Sequence, residues 1–139
     1  MSEIENIAKQ ILAKGKGILA ADESTGTMTK RLSGVNVQSS SENRLKFRET
    51  LFSAEGMKNF IGGVILCDET IKQKTSSGKT VPDLIKSFGS IPGIKVDTGA
   101  KVLAGSPEEK ITEGLDGLRD RLKEYYNLGA RFTKWRAVY

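Results

Sequence analysis

The chain predicts an α/β fold built on parallel strands, and three observations carry that reading. Apolar runs recur, and each ends abruptly in ionisable residues, as a buried parallel strand does where its C-terminal end opens into a polar site. The clearest runs are Gly17-Ile18-Leu19-Ala20-Ala21-Asp22-Glu23-Ser24-Thr25-Gly26 and Phe132-Thr133-Lys134-Trp135-Arg136. Between the runs lie segments with the apolar spacing of helices. Strands that alternate with helical crossovers run parallel, since a parallel pair needs a long connection rather than a hairpin.

Each element follows in order. Ile4, Ile7, Ala8, Ile11 and Leu12 fall at i, i+3, i+4, i+7 and i+8, one apolar stripe of a first helix that Lys14-Gly15 ends. Gly17 to Asp22 reads as a strand, and Thr27 to Leu32 as a short helix with Met28 and Leu32 on one face. Ser39 and Glu42 have capping-box spacing, and the helix they open carries Leu45, Phe47, Leu51 and Phe52 toward a core. Gly62-Gly63 opens a second strand, Val64 to Cys67, ending in Asp68-Glu69. Ser76-Ser77-Gly78-Lys79 is a turn, and Pro82 suits the first turn of a helix through Phe88. Pro92-Gly93 opens a third strand, Ile94-Lys95-Val96-Asp97. Gly105-Ser106-Pro107-Glu108-Glu109 reads as a polar loop before a helix bearing Leu115, Leu118, Leu122 and Tyr125, which Gly129 caps. Arg131 to Arg136 is the last strand. A helix followed by four strand-and-helix repeats, the last without its helix, fits a small doubly wound sheet or half of an eight-stranded (β/α) barrel.

Composition narrows the function. The 139 residues suffice for one ordinary domain. The net charge is +5, but the 22 Lys and Arg are scattered and nowhere interleaved with aromatics, which argues against a nucleic-acid partner and for a small anionic one. Histidine is absent, which removes the commonest general base, the common zinc ligands and every Ser-His or Cys-His triad. The single cysteine, Cys67, sits in an apolar run, reads as a small buried hydrophobe, and suggests a reducing compartment. The N-terminus is acidic without a signal-peptide core, and no apolar stretch approaches the ~20 residues of a membrane span. The expectation is a cytoplasmic protein with no membrane partner.

The chemistry-bearing residues gather at strand ends. Lys95 and Asp97 share one face of their strand, and Lys134 and Arg136 share one face of theirs. With Asp22, they lie at C-terminal strand ends, the rim on which parallel α/β folds build sites. Clustered charges of both signs imply mutual pairing or a ligand, because an unpaired buried charge is costly. Lys95 or Lys134, beside other cations, could serve as a nucleophilic amine. Asp68 and Glu69 end the second strand but, as neighbours, point to opposite faces. Ser24-Thr25-Gly26-Thr27 before Lys30-Arg31 resembles an anion site at a helix N-terminus but lacks the glycine spacing of a P-loop. Arg44, on the following helix, reads as a surface residue.

At these residues the chain resembles the class I fructose-bisphosphate aldolases. The matching segments are Lys16 to Gly26, Gly62-Gly63-Val64-Ile65-Leu66, Gly93 to Asp97, Gly114-Leu115-Asp116-Gly117-Leu118 and Lys134-Trp135-Arg136, in the family's order. The resemblance implies that residues 1–139 are a single partial domain, strands one to four of a (β/α)₈ TIM barrel. It implies a lyase of glycolysis that cleaves fructose 1,6-bisphosphate through a lysine Schiff base, with no metal or other cofactor. Asp22 then resembles the aspartate that assists proton transfer at the cleaved C3–C4 bond, and Lys134 the lysine that positions substrate and steadies developing charge. Lys95 and Arg136 resemble substrate-contacting residues, while Ser24, Thr27, Arg31 and Arg44 fall where the family places phosphate-side contacts. Thr27 stands where a serine is common. The Schiff-base lysine belongs to a Gly-Thr-Leu-Leu-Lys-Pro segment that these residues do not contain, so none of the lysines here takes that role. The family also implies a homo-oligomer. For this stretch alone it implies an inactive fragment whose open edges, with Ile18 and Phe132 facing water, favour association or aggregation. A phosphosugar- or partner-binding half-barrel, or one part of a split aldolase, is the alternative.

Overall fold

The structure, a computed structural model, describes residues 2–139. Ser2 caps the first helix, α1 (Glu3–Ile11), through a reciprocal box with Glu5. Strand β1 (Gly17–Ala20) follows, then α2 (Thr25–Ser33), α3 (Ser41–Phe52) and the single turn α4 (Met57–Phe60). Strand β2 (Ile61–Leu66) leads to the turn α5 (Asp68–Ile71) and to α6 (Val81–Ser87). Strand β3 (Ile91–Lys95) is separated from α7 (Leu118–Leu128) by β4 (Gly99–Leu103) and β5 (Ser106–Glu113), and β6 (Phe132–Lys134) comes last.

The main sheet has the order β1-β2-β3-β6, and all three pairings are parallel. Spatial order equals chain order, with no reversal. A doubly wound sheet reverses at its switch point, whereas a barrel wall does not. Curvature agrees: Asp22 and Lys134 follow or end opposite edges of the sheet, yet their side chains meet at 2.6 Å.

Alternation along the strands sorts two faces. Val64, Leu66, Ile94 and Val96 pack with Phe52, Ile71, Val81, Ile85 and Tyr125 into the core between sheet and helices. On the concave face, register aligns Ala20 with Ile65, Ile65 with Gly93, and Gly93 with Phe132. The Phe132 ring lies over Gly63 and Gly93, where a Cβ would come within 3.1 and 2.4 Å of it. At the same N-terminal end of the strands, α1 closes on β2: a Cβ on Gly62 would stand 2.2 Å from the Ile11 carbonyl oxygen. Phe132 is thus partly covered, whereas Ile18, on the edge strand β1, is 45% exposed.

Several local expectations are corrected. Gly105 to Glu109 is not a loop: an antiparallel hairpin pairs Gly99 with Glu113 and Val102 with Lys110, and Gly105 turns it at φ +78°. Its strands are mostly exposed, so no apolar alternation marked them. Ser40, not Ser39, caps α3, accepting from the Asn43 amide. The buried stripe of α3 is Arg44, Arg48 and Phe52, while Leu45, Phe47 and Leu51 are only partly covered. Ile4 and Leu12 are exposed, and Leu115 lies outside α7 and in solvent. β1 stops at Ala20, β3 at Lys95 and β6 at Lys134, so Asp22, Asp97 and Arg136 sit just beyond their strands. Asp68 and Glu69 open α5.

Candidate active site

The last ladder bond of β1 runs from the Ala21 amide to the Ile65 carbonyl, and the next residue, Asp22, points onto the concave face. Its carboxylate is 8% exposed and accepts from Lys134 Nζ at 2.6 Å. Lys95, in register with Lys134, donates from Nζ to Asp97 Oδ1 at 2.6 Å and to the Asp97 carbonyl at 2.9 Å. Asp97 also accepts from the Gly99 amide at 3.1 Å and the Arg136 amide at 3.2 Å. That carboxylate therefore ties β3, the hairpin and the end of β6 together. The rim holds an open cavity of about 390 Å³ lined by Asp22, Ser24, Lys95, Asp97, Arg121 and Tyr125. A larger cleft of about 520 Å³ lies away from this rim, between α3 and residues 74–76, where Glu49 accepts from the Ser76 amide and hydroxyl.

The structure thus brings Asp22, Lys95, Asp97 and Lys134 to one rim. Ser24 borders the cavity as the cap of α2, accepting from the Thr27 amide at 3.3 Å, with the Thr27 hydroxyl 3.1 Å away. Thr27 and Arg31 are exposed on α2, and Arg31 pairs with Glu23. Arg44 is not the surface residue expected. It is 9% exposed and clamps Glu69 through Nε at 2.9 Å and Nη2 at 2.5 Å, with the Ser39 carbonyl at 2.7 Å. Arg136 enters the rim through its backbone; its side chain is exposed and makes no hydrogen bond or ion pair with the described residues.

Two rim residues escaped the sequence reading. Tyr125 donates from its hydroxyl to Asp68 Oδ1 at 2.9 Å. Arg121, one turn earlier, donates to the carbonyls of Val96 at 3.0 Å and Gly114 at 2.5 Å, fixing the backbone between Lys95 and Asp97. Their i, i+4 spacing on α7 was the available signal: a helix face that reads as core but ends in polar tips.

Electrostatics keep the carboxylates of Asp97, Asp68 and Glu69 ionised. Burial opposes ionisation of Asp97, yet the Lys95 ammonium and the Arg136 and Gly99 amides outweigh it and hold the carboxyl below its ordinary range. Asp68 behaves alike, with Lys72 and Tyr125 overcoming burial. The Arg44 hydrogen bond lowers Glu69. Burial, then the Asp68 carboxylate, push the Tyr125 phenol up.

A carboxylate with a lowered folded pKa stabilises fully above its unfolded pKa of about 4, and that stability is lost as pH falls through the folded value. Protection of the Gly99 and Arg136 amides from hydrogen exchange, corrected for intrinsic rates, should be flat above about pH 5 and decline below about pH 4. Asp97→Asn should remove the decline. Protection that persists unchanged into strong acid would contradict the role given to Asp97.

Comparison with known proteins follows the same lines. The family model for Fructose-bisphosphate aldolase class-I matches residues 3–139. A probable fructose-bisphosphate aldolase class 1 of Xanthomonas campestris is 53% identical over 138 residues, 99% of this chain and 41% of the relative. The cytosolic fructose-bisphosphate aldolase 4 of Arabidopsis thaliana is 55% identical over 131 residues, 94% of this chain and 33% of the relative. Among solved structures, fructose-bisphosphate aldolase of Plasmodium falciparum, in complex with TRAP and a small-molecule inhibitor, superposes with a TM-score of 0.93 at 47% identity. That match covers 97% of this chain and 39% of the other. The chain spans about two fifths of the length of the relatives it matches.

Proposed function

The chain belongs to the class-I fructose-bisphosphate aldolase family, and from that premise we propose that it supplies the electrostatic side of a sugar-phosphate cleavage site. Residues 1–139 form strands one to four of the barrel as one partial domain. The observation that supports this most is the contact of Lys134 with Asp22 across the concave face. In retro-aldol cleavage a hydroxyl loses its proton, the adjacent carbon–carbon bond breaks, and the electron pair flows into an iminium. Asp22 is the group that handles the proton. Lys134 steadies the charge that develops beside it, because an oriented ammonium in a partly dry site needs little reorganisation. Lys95 and Arg136 hold substrate oxygens, Ser24 and Thr27 present hydroxyls at the N-terminus of α2 to a phosphate, and Arg31, in the last turn of α2 and paired with Glu23, adds positive charge on that side. Arg44 contributes by fixing Glu69. The amine that forms the imine lies outside these residues.

In this reading fructose 1,6-bisphosphate is the substrate, the location is cytoplasmic, and the complete barrel is a homo-oligomer. The stretch alone associates through the free edges of β1 and β6. Calorimetric titration of the chain with fructose 1,6-bisphosphate tests the reading. Lys134→Ala and Arg136→Ala should each weaken binding about tenfold, and Arg136→Lys should weaken it too where the guanidinium contacts phosphate in two places. Unchanged binding in all three variants would overturn it.

A further inference from the structure

Arg48 is the largest of the fully buried side chains, 1% exposed, and it lies in the core of a small domain on the buried stripe of α3. Its Nη2 donates to the Glu23 carbonyl at 2.7 Å and its Nη1 to the Thr70 hydroxyl at 3.0 Å. Glu23 follows Asp22; Thr70 lies in α5, after β2. One guanidinium therefore ties the turn after β1 to the turn after β2. The carboxylates of Glu23 and Glu69 flank it at 3.7 and 3.8 Å and balance its charge. Arg48 Nε and Glu23 Oε2 are buried with no hydrogen-bond partner among the described residues.

A buried ion cluster of this kind is a poor source of stability, since apolar side chains of similar volume often serve as well or better. Its value here is geometric. Asp22 sits between two backbone anchors: the Ala21 amide on Ile65, where the β1 ladder ends, and the Glu23 carbonyl on Arg48. Past the Ala21 amide the edge strand has left the sheet. Without the second anchor the Asp22–Glu23 peptide is free to turn, and the carboxylate leaves the line that Lys134 requires. Displacements of that order matter to a catalytic pair.

We propose that Arg48 is a positioning residue that aligns the Asp22 carboxylate with Lys134. The proposal rests on the reading of that pair as the working groups of the site. It is tested on the full chain with a water-soluble carbodiimide. The reagent activates the Asp22 carboxylate, the Lys134 amine displaces the urea, and an amide forms only where the two touch. Mass spectrometry of peptides gives the yield, scaled to Lys72–Glu124, an exposed 3.0 Å contact from the residue that ends α5 to α7 that reports retained packing. Arg48→Met should lower the scaled Asp22–Lys134 yield about tenfold, the scale of a lost hydrogen bond to a charged group. Arg48→Lys, which still donates to the Glu23 carbonyl, should recover about half of it. Thr70→Val, which removes the second anchor of the guanidinium together with the Thr70 contact to Cys67 Sγ, should lower it less. A scaled yield unchanged in Arg48→Met and Thr70→Val overturns the proposal. So does an equal loss of both couplings without rescue by lysine, which would make Arg48 merely structural. Thr70→Val decides alone where Arg48→Met does not fold. Failure of the aldolase reading shows instead in sugar-phosphate binding, which this coupling does not involve.

Discussion

Gly62→Ala is expected to lower the thermal unfolding midpoint by roughly 10 °C, the larger of two glycine effects in this sheet. The added methyl would stand 2.2 Å from the Ile11 carbonyl oxygen, 2.9 Å from its carbon and 3.1 Å from the Gln10 oxygen. All three are backbone atoms at the end of α1, so no rotamer change relieves them. Relief requires α1 to lift from β2, which exposes Ile11, a side chain only 6% exposed. Overpacking of a core site costs about 1–3 kcal/mol, and a backbone obstruction belongs at the upper end. At this chain length each kcal/mol moves the midpoint by about 2–4 °C. Gly93→Ala meets the Phe132 ring at 2.4 Å, formally as close, but a ring above an open concave face can tilt away. Its effect should be about half as large. Circular dichroism melts decide the matter: a Gly62→Ala midpoint within 2 °C of the native one would show that α1 does not seat on β2 as described.

The second large effect is asymmetric. Lys134→Ala should destabilise the chain by about 2 kcal/mol, whereas Asp22→Asn should cost below about 1 kcal/mol. The two side chains share one 2.6 Å contact, but Asp22 is 8% exposed and Lys134 35%. Removing the lysine leaves a carboxylate buried without its counter-charge. Removing the carboxylate leaves an ammonium that can hydrate. The full penalty for stripping a buried pair, about 3–5 kcal/mol, is too high here because the lysine half already meets solvent. Urea unfolding of both single variants and the double variant measures the asymmetry and the coupling together. Equal costs for the two single variants would mean that Asp22 is better hydrated than its place in the cavity implies.

Much of this molecule was legible in the sequence because strands announce themselves by their ends. The runs closing at Asp22, Cys67, Asp97 and Arg136 became the four parallel strands, with β3 and β6 ending two residues sooner at Lys95 and Lys134, and the family resemblance rests on the same residues. Placing Asp22, Lys95 and Lys134 on one rim needed only strand alternation and parallel order. What stayed hidden has three physical sources. The hairpin of β4 and β5 is solvated on much of its surface, and its Lys and Glu carry no period-two pattern. Arg44 and Arg48 occupy the buried stripe of a helix, where charge reads as surface; partners outside the helix, Glu69 and the Ser39 carbonyl for Arg44 and the Glu23 carbonyl and Thr70 hydroxyl for Arg48, make their burial tolerable. Tyr125 and Arg121 combine an apolar body with a polar tip, and the spacing of α7 shows only the body. Arg136 is the converse case: strand alternation put its side chain beside that of Lys134, but β6 ends two residues earlier and only its amide reaches Asp97.

Asp22 and Lys134 are proposed here as an electrostatic pair of an aldolase site, with neither Lys134 nor Lys95 as its nucleophile. Both amines are already donating, to Asp22 and to Asp97, and an ammonium held in that way is a poor attacker of a carbonyl. The direct measurement is borohydride reduction of the chain in the presence of fructose 1,6-bisphosphate or dihydroxyacetone phosphate, followed by mass spectrometry of its peptides. Reduction would fix any imine as a stable secondary amine on the lysine that formed it. The expected result is sugar-phosphate binding with no reduced adduct on any lysine of residues 1–139, and no turnover. A reduced sugar-phosphate adduct on Lys134 or Lys95 would contradict it, and would make the adducted lysine the nucleophile of the site.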